Sequence, residues 1–192
     1  MRVIAGQAKG RRLFSVPGEG TRPITDRVKE ALFNILGAEI EGASFLDLFA
    51  GTGGVGIEAL SRGAERVVFV EKGYKALEVI RRNLEITGLK ANAHVVRGDA
   101  FHYLRHAPPE EAFDYIYIAP PQYHELWAEA LLALDERPSL LAAGGWAIVQ
   151  IHPKEYHPLP LKNLALIRER SYGSTVLLFY ALNQEAPAEE EG

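Results

Sequence analysis

Segments of β-forming residues alternate with segments of helical periodicity over most of the chain, and this alternation is the strongest constraint on its fold. Five segments are typical of strands: "SFLDLFA", "RVVFVE", "NAHVVRGD", "FDYIYIA" and "GGWAIVQI". The helical segments between them, among them "HELWAEALLALDERP", predict βαβ units on a parallel sheet. The segments "NLALIRER" and "STVLLFYAL" then predict an antiparallel hairpin. We therefore expect an α/β fold with a seven-stranded, mostly parallel sheet and helices on both faces.

The chain divides by charge into three parts. Residues 1–30 contain seven Lys or Arg and three Asp or Glu, whereas residues 185–192 contain four Glu and no base. We expect residues 1–37 to form a basic extension of short strands and a helix, "RPITDRVKEALFNILG", with Thr25 as N-cap and Gly37 at its end. Residues 38–184 would form the α/β domain, and residues 185–192 an acidic disordered tail. A basic extension suggests a surface that binds phosphates, although a solvated hairpin has the same composition.

Composition excludes several classes of protein. The chain lacks cysteine, so we expect no disulfide and no thiolate chemistry. No stretch of 18 or more apolar residues is present, which argues against a membrane span, and the N-terminus lacks the apolar region of a signal peptide. His152 and His157 lie in a proline-containing loop without an evident third ligand. The sequence therefore predicts a cytoplasmic, monomeric protein without a metal.

A glycine-rich loop follows the first strand of the predicted sheet. Gly51 to Gly56 has the pattern G-x-G-x-x-G, which allows a tight turn and a close approach of a ligand to the backbone. Glu71 lies 20 residues after Gly51, at the end of the second strand, where a carboxylate can accept from both hydroxyls of a ribose. Nicotinamide and flavin enzymes share this arrangement, so the loop alone leaves the cofactor open.

Two further carboxylates and a pair of prolines lie in or after neighbouring strands. Asp47 lies within the first strand, and a buried charge is costly unless it is paired, so we expect it to bind a ligand's ammonium group or backbone N–H groups of the loop. Asp99 either accepts from an adenine amino group, caps the next helix, or does both. Pro120 and Pro121 follow the fourth strand, where a missing backbone donor does not break the sheet. Ligands bind at this edge of such sheets.

These motifs together resemble those of a known class of enzymes. "FLDLFAGTGGVGIEALSRGA", "VVFVEK", "GDA" and "FDYIYIAPPQY" have the order and spacing found in class I S-adenosylmethionine-dependent methyltransferases that methylate amino groups, which have a Rossmann-like fold. The segment "RPITDRVKEALFNIL" resembles the signature of the bacterial family that methylates the exocyclic N2 of a guanine in 16S ribosomal RNA. The resemblance extends from Arg2 to about Tyr180, nearly the whole chain.

The resemblance implies a role for each motif. The methionine end of S-adenosylmethionine would face Asp47, its ribose would bind Glu71, and its adenine amine would bind Asp99. The residues implied in cofactor binding are Asp47, Phe49, Ala50, Gly51, Thr52, Gly53, Glu71, Lys72, Asp99 and Ala100. Those implied in holding the target guanine are Ala119, Pro120, Pro121, Gln122 and Tyr123. Those implied in binding ribosomal RNA, free or in a small-subunit particle, are Arg2, Lys9, Arg11, Arg12, Arg22 and Thr25.

The sequence departs from the family pattern at the diproline loop. Ala119 stands where the family has Asp or Asn. The family has an aromatic residue directly after the prolines, whereas this chain has Gln122 there and Tyr123 one position later. Asp114 is too distant to substitute, because five residues of strand span about 16 Å. Two alternatives follow. Either backbone carbonyls are enough to hold the target amino group, with Gln122 or another side chain replacing the missing one, or the protein binds cofactor and RNA with weak or lost catalysis. A nicotinamide-dependent oxidoreductase is a third, less favoured reading.

Overall fold

A computed structural model describes residues 1–18 and 23–183 of the chain. The described residues contain one seven-stranded sheet of order β3-β2-β1-β4-β5-β7-β6. The strands are β1 (Ser44–Asp47), β2 (Arg66–Glu71), β3 (Ala93–Arg97), β4 (Phe113–Ile118), β5 (Leu141–Ile151), β6 (Leu164–Tyr172) and β7 (Thr175–Leu182). Strands β1 to β5 are parallel, and β7 is antiparallel to both β5 and β6. The predicted fold class is therefore confirmed, including the C-terminal hairpin.

Helices cover both faces of the sheet, as predicted. They are α1 (Asp26–Leu36), α2 (Gly54–Ser61), α3 (Tyr74–Thr87), α4 (Ala100–His106) and α5 (Leu126–Asp135). The first face packs against α1, α2 and α3, and the second face packs against α4 and α5. Apolar side chains alternate between the two faces along each strand, so the two cores share a single sheet. Trp127, Leu131 and Leu134, at helical spacing along α5, belong to the core on the second face.

Capping residues fix the ends of α1, and several element boundaries differ from the prediction; strand β1, for example, ends at Asp47 rather than Ala50. Thr25 Oγ1 accepts from the N–H of Val28 at 3.2 Å, and Gly37 ends α1 with a φ of +60°, both as predicted. Helix α5 begins at Leu126 rather than His124, because Glu125 has a left-handed backbone. Strand β5 begins at Leu141, before the predicted segment, and continues through Gly144 with a φ of +77° and an irregular register against β4.

The N-terminal extension contains less β-structure than predicted. Its ladder is a single antiparallel bridge between Arg2 and Arg12, because Gly6 and Gly10 adopt positive φ values and turn the chain after only a few residues. Val3 is buried in the first core, so the extension is packed rather than solvated. At Gly6 the backbone touches α2: an added Cβ would lie 1.8 Å from the carbonyl oxygen of Ser61. The extension therefore packs directly on the α/β domain.

A buried carboxylate on α2 fixes this packing. Glu58 accepts from the N–H groups of Ile4 at 2.8 Å and Ala5 at 3.2 Å. Lys29 Nζ, on α1, lies 3.3 Å from Glu58 Oε1 and also donates to the carbonyl oxygen of Arg2 at 2.6 Å. Arg62 Nε lies 2.9 Å from Glu58 Oε2. The side chains of Lys29 and Glu58 are fully buried, so each charge depends on the other for compensation.

Substitution of Glu58 by Ala should release the extension and destabilise the whole protein. The change removes the acceptor of two backbone N–H groups and leaves Lys29 buried without its carboxylate, which costs about 3–5 kcal/mol in comparable pairs. Denaturant unfolding would measure the loss, and hydrogen exchange at Ile4 and Ala5 would show whether the extension opens first. Glu78→Ala, at an exposed position of α3, is the matched control and should cost less than about 0.5 kcal/mol. Equal stability of the two variants would contradict the anchoring role.

Candidate active site

The glycine-rich loop between β1 and α2 forms the centre of the site. The N–H of Ala50 donates to the carbonyl of Val70 at 3.0 Å, which ties the loop to the end of β2. Gly51 and Gly53 adopt φ values of +56° and +78°, which L-residues rarely adopt. A Cβ added at Gly51 would meet no atom within 4 Å. The loop therefore turns tightly and leaves open space over Gly51 that a ligand can enter.

Asp47 lies beneath this loop and is 1% exposed. Its Oδ2 accepts from the N–H of Gly56, in the first turn of α2, at 3.1 Å. This bond matches one of the two partners expected from the sequence. Burial has the largest effect on the pKa of Asp47 and raises it, the Gly56 hydrogen bond lowers it, and the charge of Glu71 raises it. The net result is a pKa of about 7. The carboxyl group therefore titrates near neutral pH, where a cationic group on a bound ligand would favour its ionised form.

Glu71 joins the loops that follow β1 and β2. Its Oε2 accepts from the N–H of Gly51 at 2.8 Å, and its Oε1 accepts from the N–H of Gly73 at 2.9 Å. A carboxylate oxygen has two lone pairs, so each oxygen can accept one more hydrogen bond. Its backbone carbonyl accepts from Gly98 at 3.1 Å, which adds the end of β3. The residue thus shapes the glycine-rich loop and retains acceptors for two ligand hydroxyls.

Asp99 caps helix α4, which confirms one of the roles expected for it. Its Oδ1 accepts from the N–H groups of Phe101 at 2.9 Å and His102 at 3.0 Å. The rings of Phe101 and Phe49 meet edge to face with centroids 6.1 Å apart, so an aromatic pair lies beside the cap. Ala100 is buried in the second core, whereas the neighbouring strand end at Lys72 is exposed. The geometry leaves the second role of Asp99, with an adenine amine, as a prediction.

A buried asparagine connects the glycine-rich loop to the N-terminal extension. Asn83 Nδ2, on α3, donates to the carbonyl oxygens of Thr52 at 2.9 Å and Phe14 at 3.1 Å. Its Oδ1 accepts from the N–H of Phe14 at 2.7 Å. No sequence motif predicted a role for Asn83; the available signal was a polar side chain on the buried face of an amphipathic helix.

The diproline loop lies at the end of β4. Ala119 is half-buried against the first core and Pro120 is buried, whereas Pro121, Gln122 and Tyr123 are exposed. Tyr123 has a φ of +66°, and its N–H donates to Glu155 Oε1 at 2.7 Å. Two consecutive prolines have no backbone N–H to donate, so their carbonyl oxygens are their only backbone hydrogen-bonding groups.

A second loop, between β5 and β6, holds the diproline loop in place. Glu155 binds the backbone of Tyr123, and its Oε2 also accepts from the N–H of His152 at 2.9 Å. His157 Nε2 lies 2.7 Å from Glu125 Oε2, and this bond raises the pKa of His157. The sequence pattern indicated no role for His152 and His157 other than that of metal ligands. Within residues 1–18 and 23–183, no group of three His, Asp or Glu side chains could hold a metal ion.

Asp114 lies near the start of β4, at the end of the sheet opposite to the diproline loop. Its Oδ2 accepts from the N–H of Ser44 at 2.9 Å, at the beginning of β1. The expectation that Asp114 cannot replace a carboxylate at position 119 therefore agrees with its contacts.

The basic residues implied in RNA binding have differing partners. Lys9, Arg11 and Arg12 lie on the surface, and Arg2 pairs with Asp26 at a distance of 3.3 Å between Nε and Oδ2. The bridge between Arg2 and Arg12 places these two arginines next to each other. The hydroxyl of Thr25 caps α1, and Arg22 lies outside the described residues.

No helix among the described residues is long and apolar enough to cross a membrane.

Comparison with known proteins gives matches over nearly the whole chain. The Bacillus subtilis protein YlbH, provisionally named an rRNA methyltransferase, is 42% identical over 94% of this chain and 98% of its own. Ribosomal RNA small subunit methyltransferase D of Haemophilus influenzae is 33% identical over 90% of this chain and 89% of its own. These matches confirm the resemblance that the motifs indicated.

Solved structures agree with the fold. A structure from Escherichia coli, provisionally described as the methyltransferase yhhF, is 34% identical and superposes with a TM-score of 0.80 over 94% of this chain and 96% of its own. An RNA methyltransferase from Salinibacter ruber, solved with S-adenosyl-L-homocysteine, shares the fold at 16% identity, with a TM-score of 0.65 over 88% of this chain and 98% of its own.

The family model described as "Conserved hypothetical protein 95" matches residues 1–181. The chain therefore belongs to this family, and its sequence matches rRNA methyltransferases over nearly its whole length.

Proposed function

We propose that the protein transfers a methyl group from S-adenosylmethionine to the exocyclic N2 of a guanine in small-subunit ribosomal RNA. The observation that carries the proposal is the convergence of Asp47, Glu71 and Asp99 with the diproline loop at one edge of the sheet, in a chain of this family. Membership of the family argues against the nicotinamide-dependent oxidoreductase that the glycine-rich loop alone would allow.

The residues at the sheet edge fit the parts of S-adenosylmethionine. The open space over Gly51 admits a ligand against the loop backbone. Glu71 retains acceptors for the two ribose hydroxyls, and Asp99 for the adenine amine. The buried carboxyl of Asp47, with a pKa of about 7, suits a position near the positively charged methionine end. The bound molecule supplies an electrophilic methyl group on a sulfonium.

The diproline loop would orient the target amino group. The nitrogen of a guanine amino group is a poor nucleophile because its lone pair is delocalised into the ring. Acceptors that hold both N–H groups aim the lone pair at the methyl carbon, which is orientation together with electrostatic preorganisation. The carbonyl of Pro120 is one such acceptor. As the N–C bond forms, the C–S bond breaks with its electron pair returning to sulfur, and the nitrogen releases one proton to water.

We further propose that the protein acts as a monomer in the cytoplasm and that its RNA substrate is free small-subunit rRNA or a small-subunit particle. The exposed basic residues of the extension support RNA binding, because Lys and Arg contacts to phosphates provide sequence-independent affinity. Ala119 favours one alternative, a protein that binds cofactor and RNA but catalyses weakly or not at all.

The direct test is methylation of RNA by the purified protein. Small-subunit RNA and particles, each lacking N2-methylguanosine, would be incubated with S-adenosylmethionine, digested to nucleosides and analysed by mass spectrometry. N2-methylguanosine should appear with one or both substrates and should be absent with NADH in place of S-adenosylmethionine. Cofactor and RNA binding without any methylated product would support the non-catalytic alternative.

Replacing Glu71 by Ala should weaken S-adenosylmethionine binding by about 1.5–3 kcal/mol, the range for hydrogen bonds to a charged group. The variant also loses acceptors for Gly51 and Gly73, so titration calorimetry should be run well below its melting temperature. Glu65→Ala, an exposed acid before the start of β2, is the matched control and should bind like the wild type. Unchanged affinity in Glu71→Ala would remove the ribose assignment.

Replacing Arg11 and Arg12 together by Ala should lower the salt dependence of RNA binding. Each lost phosphate contact should reduce the slope of log affinity against log salt by about one unit. Filter binding at several salt concentrations measures this slope, and cofactor affinity should not change. The matched control, Arg105→Ala with Arg170→Ala, removes exposed arginines from α4 and β6. An unchanged slope in the Arg11 and Arg12 variant would mean that the extension has a structural role and that these arginines do not contact RNA phosphates.

A further inference from the structure

A half-buried glutamine lies next to the position where the expected carboxylate is missing. The register of β4 and β5 pairs Tyr117 with Ile148 and Ile118 with Val149, so Ala119 comes level with Gln150 on the neighbouring strand. Tyr117 and Ile148 both face the first core. Because side chains alternate along a strand, Ala119 and Gln150 face the same side as these two residues. Both are half-buried at the end of the sheet where the diproline loop begins.

The amide of Gln150 is held in place by a buried phenol. The hydroxyl of Tyr117 donates to Gln150 Oε1, and Tyr117 is 3% exposed. Burial, with the nearby charge of Asp47, raises the pKa of Tyr117 well above its ordinary value, so its hydroxyl stays protonated and remains a donor. A carbonyl oxygen has two lone pairs, and the phenol uses one of them. Gln150 Oε1 therefore retains an acceptor in a fixed position.

We propose that Gln150 accepts one N–H of the target guanine amino group and thereby replaces the side chain that Ala119 lacks. The inference rests on the proposed function and assigns one of its two acceptors to Gln150 and the other to the Pro120 carbonyl. Alanine has a smaller side chain than aspartate or asparagine, and adjacent strands are only about 4.8 Å apart, so the longer side chain of Gln150 lies within reach of position 119.

Other polar groups near the site have different partners or positions. Asp47 lies beneath the glycine-rich loop and accepts from Gly56. Asp114 binds Ser44 at the opposite edge of the sheet. Gln122 is exposed in the loop itself, where no strand fixes its position. Gln150 combines a strand position, partial burial and a bonded partner.

The first variant is Gln150→Leu, which keeps the size of the side chain and removes its acceptor. Single-turnover methyl transfer should slow by about 10-fold or more, equivalent to about 1.4 kcal/mol at the transition state. The KM for RNA and the affinity for S-adenosylmethionine should hardly change, because the contact orients the reacting nitrogen. Gln150→Glu restores an acceptor and should recover transfer. Asn92→Leu, which removes an exposed amide directly before β3, is the control and should transfer like the wild type.

Two further variants separate orientation from mere packing. Tyr117→Phe should slow transfer by itself but add little to Gln150→Leu, because the phenol acts only through the amide. Ala119→Asp places an acceptor at the position that the family uses. Combined with Gln150→Leu, it should restore transfer, and alone it should match or exceed the wild-type rate.

The outcomes distinguish this inference from the proposed function. Slow transfer in Gln150→Leu that either Gln150→Glu or the added Ala119→Asp restores supports the inference. A wild type that transfers methyl groups while Gln150→Leu is equally fast overturns the inference alone, and so does a slow Gln150→Leu that neither change restores. A wild type that transfers no methyl group to RNA or particles overturns the proposed function, and the inference with it.

Discussion

The buried carboxylate of Glu58 joins parts of the protein that are far apart in sequence. It accepts from the backbone of Ile4 and Ala5, pairs with Lys29 on α1 and contacts Arg62 one turn along its own helix. A fully buried ion pair is costly to desolvate, and an apolar pair would often be as stable. Its contribution here is to specificity: only one placement of the extension supplies two backbone donors to the carboxylate and a carbonyl to the lysine.

Fixing the extension has a consequence for the site. Asn83 bonds both to Phe14 of the extension and to Thr52 of the glycine-rich loop. The side-chain amide of Asn83 thus bonds both to the proposed RNA-binding extension, at Phe14, and to the proposed cofactor-binding loop, at Thr52. Because buried amides are costly to leave unsatisfied, a shift of the extension would be felt at the loop. Asn83 therefore links the two proposed binding surfaces through its hydrogen bonds.

Periodicity and strand-end motifs predicted the sheet, its helices and the positions of Asp47, Glu71 and Asp99, because these depend on local sequence. The contacts that fix the site were not predictable in the same way. The pairs Glu155 with Tyr123, Glu58 with Ile4 and Tyr117 with Gln150 join residues 32, 54 and 33 positions apart. No pattern within a helix or strand specifies such a partner. Departures at Gly144 and Glu125 likewise reflect tertiary packing overriding local preference.

A strand holds a side chain in a more fixed position than a loop does. An acceptor on β5 is therefore a reasonable replacement for the side chain that Ala119, at the start of the diproline loop, lacks. Residues 119–125 include Tyr123 and Glu125 with φ values of +66° and +55°, and each such residue costs about 1–3 kcal/mol unless its surroundings fix it. Here Glu155 and His157 supply that support from a neighbouring loop. Gln150 instead lies on β5, one strand from Ala119, and its amide is fixed by a buried phenol. Strand positions hold a reacting group more closely than loops do, so the proposed acceptor on β5 would tolerate variation in the loop that contains Pro120.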